Sequence, residues 1–443
     1  MTNAIGIVGG GISGTLSVLQ IIKQSKKPLS IYWFDTQNKF CKGYAYNTFD
    51  EGHLLNVRAS NMSVFPDEPH HFVNWLNIHH PKYSPKDFVP RKLFGDYVLH
   101  TFELLKKSNA LITIHQIAEE VKSIKKIGDC FEMNTHQNYQ VQKIILGFGN
   151  FLPAHPRSVS KEFISSKNYF QNAFNVQLTN QIQLHNNITI IGSGLTMIDV
   201  IVSLSHFNYK GKINVISPHA YIPQAHQENP LPSVEPFVNQ NQAYTLLEIL
   251  SLVNKQLKKA KKENLNLHSV VDSMRPFLQN LWLNFSIEEK KQFLRHLRHK
   301  WGVARHRAPS QSMAIFNTLK SSNQLQLIKG RISDIKLQTF GFEIFYSNNQ
   351  TEQQTLHTQL IINCTGPESD YSQLKSPLIQ DLINNQIISH DSIKYGINAQ
   401  KDGYITNNIY TIGPPLKGIL WESVAVPEIR VQAQELAPKI ICD

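Results

Sequence analysis

"GIVGGGISGT", Gly6 to Thr15, stands almost at the start of the chain, and a looser copy, "ITIIGSGLTMID", occupies Ile188 to Asp199. In the first copy Ala4 to Val8 is short and apolar, as a buried strand is, and Thr15 to Lys23 has the apolar spacing of a helix. Gly9, Gly11 and Gly14 between them form GxGxxG, with Ser13 inside the same turn. The first glycine makes the tight turn and the second lets a pyrophosphate approach the backbone. The third allows close packing of helix on strand. The helix N-terminus then offers free N–H groups and the positive end of its dipole. A second strand, "SIYWFD", ends at Asp35, about 21 residues after Gly14, where a carboxylate can accept from ribose hydroxyls. Strand, turn, helix, strand and terminal acid together predict a dinucleotide site.

The second copy keeps Gly192 and Gly194, followed by Leu195 and Thr196, but puts Met197 at the third glycine position. Its next strand, "KINVISPH", ends at His219 without a carboxylate, so neither the acid that favours NAD nor an arginine for a 2′-phosphate is in place. His219, or a basic residue reaching over from elsewhere, is the candidate there. Beyond the turns the two halves run in parallel. "LITIHQ", a meander from "VKSIKKI" to "YQVQ" and "KIILGFG" follow the first turn. "LQLIKG", a meander from "ISDIKL" through "FEIFYS" and "LIINCTG" follow the second. One order carried twice predicts a duplicated architecture.

The length of 443 residues allows two to three domains. No apolar run reaches membrane-spanning length, and no signal peptide opens the chain. Cys41, Cys130, Cys364 and Cys442 form no CxxC pair, which argues against a disulfide framework, a zinc site or a dithiol reductase and points to a reducing cytoplasm. The net charge of +11 is concentrated: residues 251 to 310 carry 13 Lys/Arg and 4 Asp/Glu, a net of +9. Such a stretch is either a solvated helical face or a docking surface for an anion or acidic partner, and no nucleic-acid motif surrounds it. His296, His299 and His306 are interleaved with arginines and lysines, an unsuitable setting for a metal.

"GIVGGGISG", "LGFGN", "IIGSGLTMID" and "NCTG" resemble the two-dinucleotide-binding flavoproteins. The longer segments "HLLNVRASNMSVFPDEPHHFVNWL", "WGVARHRAP" and "IYTIGPPLKGILWESVAVPEIRVQA" are similar to the FAD/NAD(P)-binding proteins of the YdhS-like group. The resemblance implies an α/β fold with two Rossmann-like dinucleotide-binding domains. A discontinuous FAD domain, 1–180 and 332–443, is interrupted by an NAD(P) domain, 181–331, whose helical insertion covers about 228–321. It implies FAD at the first turn, with Gly149 and Gly413 at further approaches, and NAD(P)H at the second. A small-molecule substrate follows from it, with no membrane partner; the oligomeric state stays open.

A more distant resemblance to class B flavin monooxygenases implies that Asn56 faces the flavin as an active-site amide and that Arg91, in "VPRKLFGDY", binds cofactor. Asn56 reads equally well as a residue closing a turn. Trp421, before the last helix, is either a flavin contact or a core aromatic. The FxGxxxH fingerprint of those monooxygenases is missing, because Phe163 is followed by Ile-Ser-Ser. Hydride transfer to flavin, then electron transfer to an organic acceptor or oxygen, is the activity implied. A reductase without oxygen insertion and a flavin-holding binding protein are the alternatives.

Overall fold

The computed structural model describes residues 3–348 and 352–442. Strand β1 (Ala4–Val8) leads through the glycine turn into the helix Ile12–Gln24 and back into β2 (Leu29–Phe34). The helix Arg91–Ser108 precedes β3 (Ile112–Ile117). A three-stranded antiparallel meander, β4 (Ser123–Ile127), β5 (Cys130–Asn134) and β6 (Asn138–Val141), feeds β7 (Lys143–Leu146). The chain then crosses through β8 (Tyr169–Phe170) to β9 (Asn187–Ile191), the helix Leu195–His206 and β10 (Lys212–Ser217). After the helical insertion come β11 (Leu325–Lys329), a second meander of β12 (Arg331–Gln338), β13 (Gly341–Ser347) and β14 (Gln353–Thr358), and β15 (Leu360–Asn363). It returns through β16 (Tyr404–Thr406) and β17 (Ile409–Thr411) to the final helix, Val426–Ile441.

The first sheet has the order β16-β17-β7-β1-β2-β3, parallel except at β16, and the second β11-β10-β9-β15-β8, parallel throughout. The runs β7-β1-β2-β3 and β15-β9-β10-β11 are the same arrangement. The repeat seen in the sequence is therefore a repeat of topology, with each glycine turn at the carboxyl edge of the central strand where α/β sheets bind nucleotides.

This pairing corrects the expected boundaries. Tyr169–Phe170 and Leu360–Asn363 hydrogen-bond into the second sheet, so 181–331 is too narrow, and the meander Arg331–Thr358 precedes β15 just as β4–β6 precede β7. The insertion is also shorter than 228–321. Met313 and Phe316 of the helix Ser310–Ser321 are buried in the second core with Met197 and Ile201, so that helix covers the second sheet. What is inserted is the group of helices from Leu246–Lys262 to Arg298–Arg305, around Trp282, Leu281 and Ile249. Thr245 with Glu248 and Ser286 with Glu289 start two of them as reciprocal capping boxes. Lys255, Lys259, Lys261 and Lys262 lie on its outer, solvated side. Among the described residues no helix is long and apolar enough to cross a membrane.

In the first domain Ile5, Ile7, Ile31 and Trp33 face the helices Ile12–Gln24, Arg91–Ser108 and Val426–Ile441. Val141, Leu146 and Leu382 fill the opposite face under the meander.

Candidate functional site

The first glycine turn opens onto a cavity of about 460 Å3. Gly9 has φ +112°, and a Cβ there would stand 2.3 Å from the Gly147 carbonyl oxygen; one on Gly14 would stand 2.0 Å from the Gly9 oxygen. Those two positions can only be glycine. Gly11 instead faces the cavity, caps the helix with no side-chain bond, and leaves the first-turn N–H groups free with no acid among them. Asp35 lies just past β2 and lines the same cavity. Its carboxylate accepts from the N–H groups of Gly10 (3.1 Å), Gln37 (2.9 Å) and Lys39 (3.0 Å), which fix its place beside the turn. Beneath the turn the Trp33 indole donates to the Gly9 oxygen at 2.9 Å.

Gly149, with φ +72° and open space where a Cβ would stand, forms part of the far wall. Ser13 is buried with no partner for its Oγ, and Gly413, φ +79°, approaches so closely that a Cβ would stand 2.5 Å from that Oγ. The glycine cradle, uncapped helix and orphaned hydroxyl fit a dinucleotide such as FAD.

At the second turn Gly192, φ +103°, is pressed against the Cys364 carbonyl, whereas Gly194 is exposed and open. The helix that starts at Leu195 and Thr196 again has no side-chain cap and no acid in its first turn. Met197, fully buried, takes up the space a third glycine would leave. Ser193 Oγ meets Ser217 Oγ at 2.8 Å, tying the turn to the end of β10. His219 just beyond is exposed; its ring stacks on Tyr221 and lies 4.9 Å from that of His299, which the insertion brings over. Burial, with Arg298, His219 and Arg331 nearby, pushes His299 down to about 4. These residues fit the pyrophosphate and adenosine end of NAD(P)H.

Three residues expected at the cofactor lie outside the wall of the first cavity. Arg91 is absent from the cavity wall. Its Nη2 pairs with Asp199 Oδ2 at 2.9 Å, and its Nε donates to the Leu54 oxygen, so it ties the first domain to the helix Leu195–His206 of the second. Asn56 is also outside the wall; its backbone oxygen accepts from His226 Nε2 at 2.9 Å. Burial pushes His226 down to about 4, so its ring is a neutral donor. Trp421 stacks on Trp282 at 4.8 Å and packs with the insertion core, because an apolar surface there was available to a large aromatic. None of the three distant partners has a local signal in the sequence.

Around Arg91 lies a polar network that sequence reasoning missed. Ser203 Oγ donates to Asp50 Oδ2 and accepts from His53 Nε2, both at 2.8 Å, and His206 Nδ1 meets Asp50 Oδ1 at 2.9 Å. Since the hydroxyl proton goes to the carboxylate, Nε2 carries the His53 proton. Burial raises the Asp199 carboxyl, with Arg91 opposing, and lowers His53. Burial also works to raise Asp50, but bonds from Gly52, Ser203 and His206 outweigh it and hold it low. Ser203 thus sits between base and acid in the wrong order for a nucleophile; the network joins domains. Among the described residues no three His, Cys, Asp or Glu are grouped to hold a metal ion.

Residues 6–151 match a family described as FAD-NAD(P)-binding. No curated protein matches the sequence. Among solved structures, ornithine hydroxylase from Pseudomonas aeruginosa superposes with a TM-score of 0.69 at 13% identity, covering 100% of this chain and 99% of that one. A cadaverine monooxygenase from Erwinia amylovora gives 0.68 at 14% identity, over 99% and 94%. Bacillithiol disulfide reductase from Staphylococcus aureus gives 0.58 at 13% identity, over 99% and 98%. The chain therefore carries an FAD-NAD(P)-binding domain at its N-terminal end and, along its whole length, the fold of the two-dinucleotide-binding flavoproteins.

Proposed function

We propose that the protein is an FAD-dependent NAD(P)H oxidoreductase of monooxygenase-like type, working in the cytoplasm on a small organic acceptor. The observation that carries this reading is the pair of uncapped glycine turns at equivalent edges of two like sheets. Bound FAD supplies a centre that takes two electrons from NAD(P)H and passes them to an acceptor or to oxygen. The chain supplies binding and position. Gly9, Gly11, Ser13 and Gly14 admit one pyrophosphate to the first helix, Asp35 receives the ribose, and Gly149 and Gly413 bound the other end. Gly192, Gly194, Leu195 and Thr196 admit the second pyrophosphate. NADPH is the favoured coenzyme: no carboxylate closes β10, and the guanidinium groups of Arg298 and Arg331 stand near the His219–His299 ring pair at that corner.

The amine substrates in the names of two structural neighbours support N-hydroxylation of a small amine as the acceptor reaction. One observation favours a reductase without oxygen insertion. Phe163, where the monooxygenase fingerprint would begin, is buried against Tyr169 and Phe342 and serves the core. Dithiol chemistry is disfavoured, since burial pushes the Cys41 thiol up to about 12 and raises Cys364 as well.

The test is the visible spectrum of the purified protein, followed by anaerobic NADH and NADPH in parallel. The expected result is a flavin spectrum that NADPH bleaches at least about tenfold faster than NADH. Colourless protein that refuses added FAD, or yellow protein unmoved by both nucleotides, sinks the reading.

A further inference from the structure

A separate cavity of about 390 Å3 lies where the insertion meets the final helix, within the size range of small-molecule sites. Arg275 and Gln279 form one wall, Arg305 another, and Glu428, Gln432 and Glu435 the third; Lys401 and Asp402 stand at its edge. The lining holds three cations, Arg275, Arg305 and Lys401, and four carboxylates, Asp402, Glu422, Glu428 and Glu435. Asp402 is taken by Lys439 outside the lining, which leaves three charges of each sign.

Those charges are poorly used by one another. Arg305 reaches Glu422 only at 3.7 Å and Arg275 reaches Glu428 at 3.8 Å, where a good ionic hydrogen bond runs at about 2.7–2.9 Å. Arg305 Nε, Glu428 Oε2 and Gln432 Nε2 are buried without a partner. Orphaned buried polar atoms are rare and costly, so three beside one cavity point to a ligand that completes them. Burial, with Glu422 nearby, raises the Glu428 carboxyl, and burial lowers Arg305. Trp421, beside Glu422, is held at φ +54° and ψ −70°, a strained backbone of the kind that collects at ligand sites.

The same short stretch also walls the first cavity. Val424 and Ile429 line the cavity at the first glycine turn, while Glu422, Pro427 and Glu428 line this one. A lone anion would meet three carboxylates here, and a lone cation two guanidinium groups and Lys401. We propose that this cavity binds a small zwitterion, its ammonium between Glu422 and Glu428 and its carboxylate on Arg275 and Arg305. That the zwitterion is the electron acceptor rests on the redox reading above; that it binds here does not.

The test uses the FAD-loaded full chain with L-lysine, cadaverine and hexanoate as probes, read by calorimetry and by quenching of tryptophan fluorescence. Trp421 stacked on Trp282, and Trp301, whose indole meets Glu422, are the reporters. L-lysine is expected to bind saturably, and cadaverine and hexanoate at least about tenfold more weakly. Glu428→Gln should weaken L-lysine by a similar factor. Val431→Trp, filling the cavity from its exposed rim, should do so without removing a charge. No saturable L-lysine binding at millimolar concentration, wild-type affinity in Val431→Trp, or a preference for cadaverine would each overturn the proposal. L-lysine binding without NAD(P)H bleaching would remove the redox reading alone, and bleaching without binding would remove this one alone.

Discussion

Gly192 and Gly194 differ in what a methyl group would meet. At Gly192 it would stand 2.4 Å from the Cys364 carbonyl with φ at +103°, a collision of backbone with backbone that no rotamer relieves. At Gly194 it would meet nothing within 4 Å. Gly192→Ala should therefore destabilise the protein by roughly 1–3 kcal/mol, the cost of a strained backbone position, while Gly194→Ala leaves the urea midpoint nearly unchanged and weakens only NAD(P)H. Equal midpoints for the two variants would show that the turn is not as drawn. The glycines were legible because their geometry is local. Strand, turn and helix follow within 20 residues, and the positive φ leaves few choices of residue. Arg91 was not legible for the opposite reason: its partner Asp199 belongs to the other half of the chain, and a cation within "VPRKLFGDY" carries no mark of it.

At the scale of elements, that pair and the Asp50–Ser203–His53 chain hold the helix Leu195–His206 against the segment Asp50–Arg91. The nucleotide turn at the start of that helix is thereby fixed relative to the first domain. Removing one member of a buried ion pair leaves an uncompensated charge, typically at about 3–5 kcal/mol. Asp199→Ala should lower stability by that order in urea unfolding and slow flavin reduction by NADPH without releasing FAD. Arg91→Met combined with Asp199→Leu should cost less than Asp199→Ala alone. A double variant at least as unstable as the single one would show that the charges are not coupled. Element order was read correctly from alternating apolar runs. Boundaries were not, because β8 has only two residues and pairs with β15 across almost two hundred positions of chain, which leaves no periodicity to detect.

For the whole molecule, pH acts through histidines that folding keeps neutral. His226 links the second half of the chain to Asn56 in the first, and its pKa falls to about 4 from an unfolded value of about 6.5. Between those values the unfolded chain binds the extra proton, so this contribution is whole above pH 6.5 and is lost as pH falls toward 4. His226→Gln, which keeps a donor for the Asn56 oxygen, should flatten the fall in urea midpoint over that window. A slope identical to that of the parent protein would count against the assignment.

The way the first sheet is completed also bears on how the chain is made. Its central strand is β1, yet β17 and the helix Val426–Ile441, which packs on Ile12–Gln24, are contributed by the last few dozen residues. On a ribosome adding about 5–20 residues per second, the second domain emerges whole while the first still lacks an edge and a covering helix. The early segment must wait, with the face of the helix Ile12–Gln24 that takes Val426–Ile441 uncovered, until those residues have been made. Uptake of the flavin nucleotide then waits for those residues, and nascent chains stalled before residue 409 should carry a folded middle and no yellow colour.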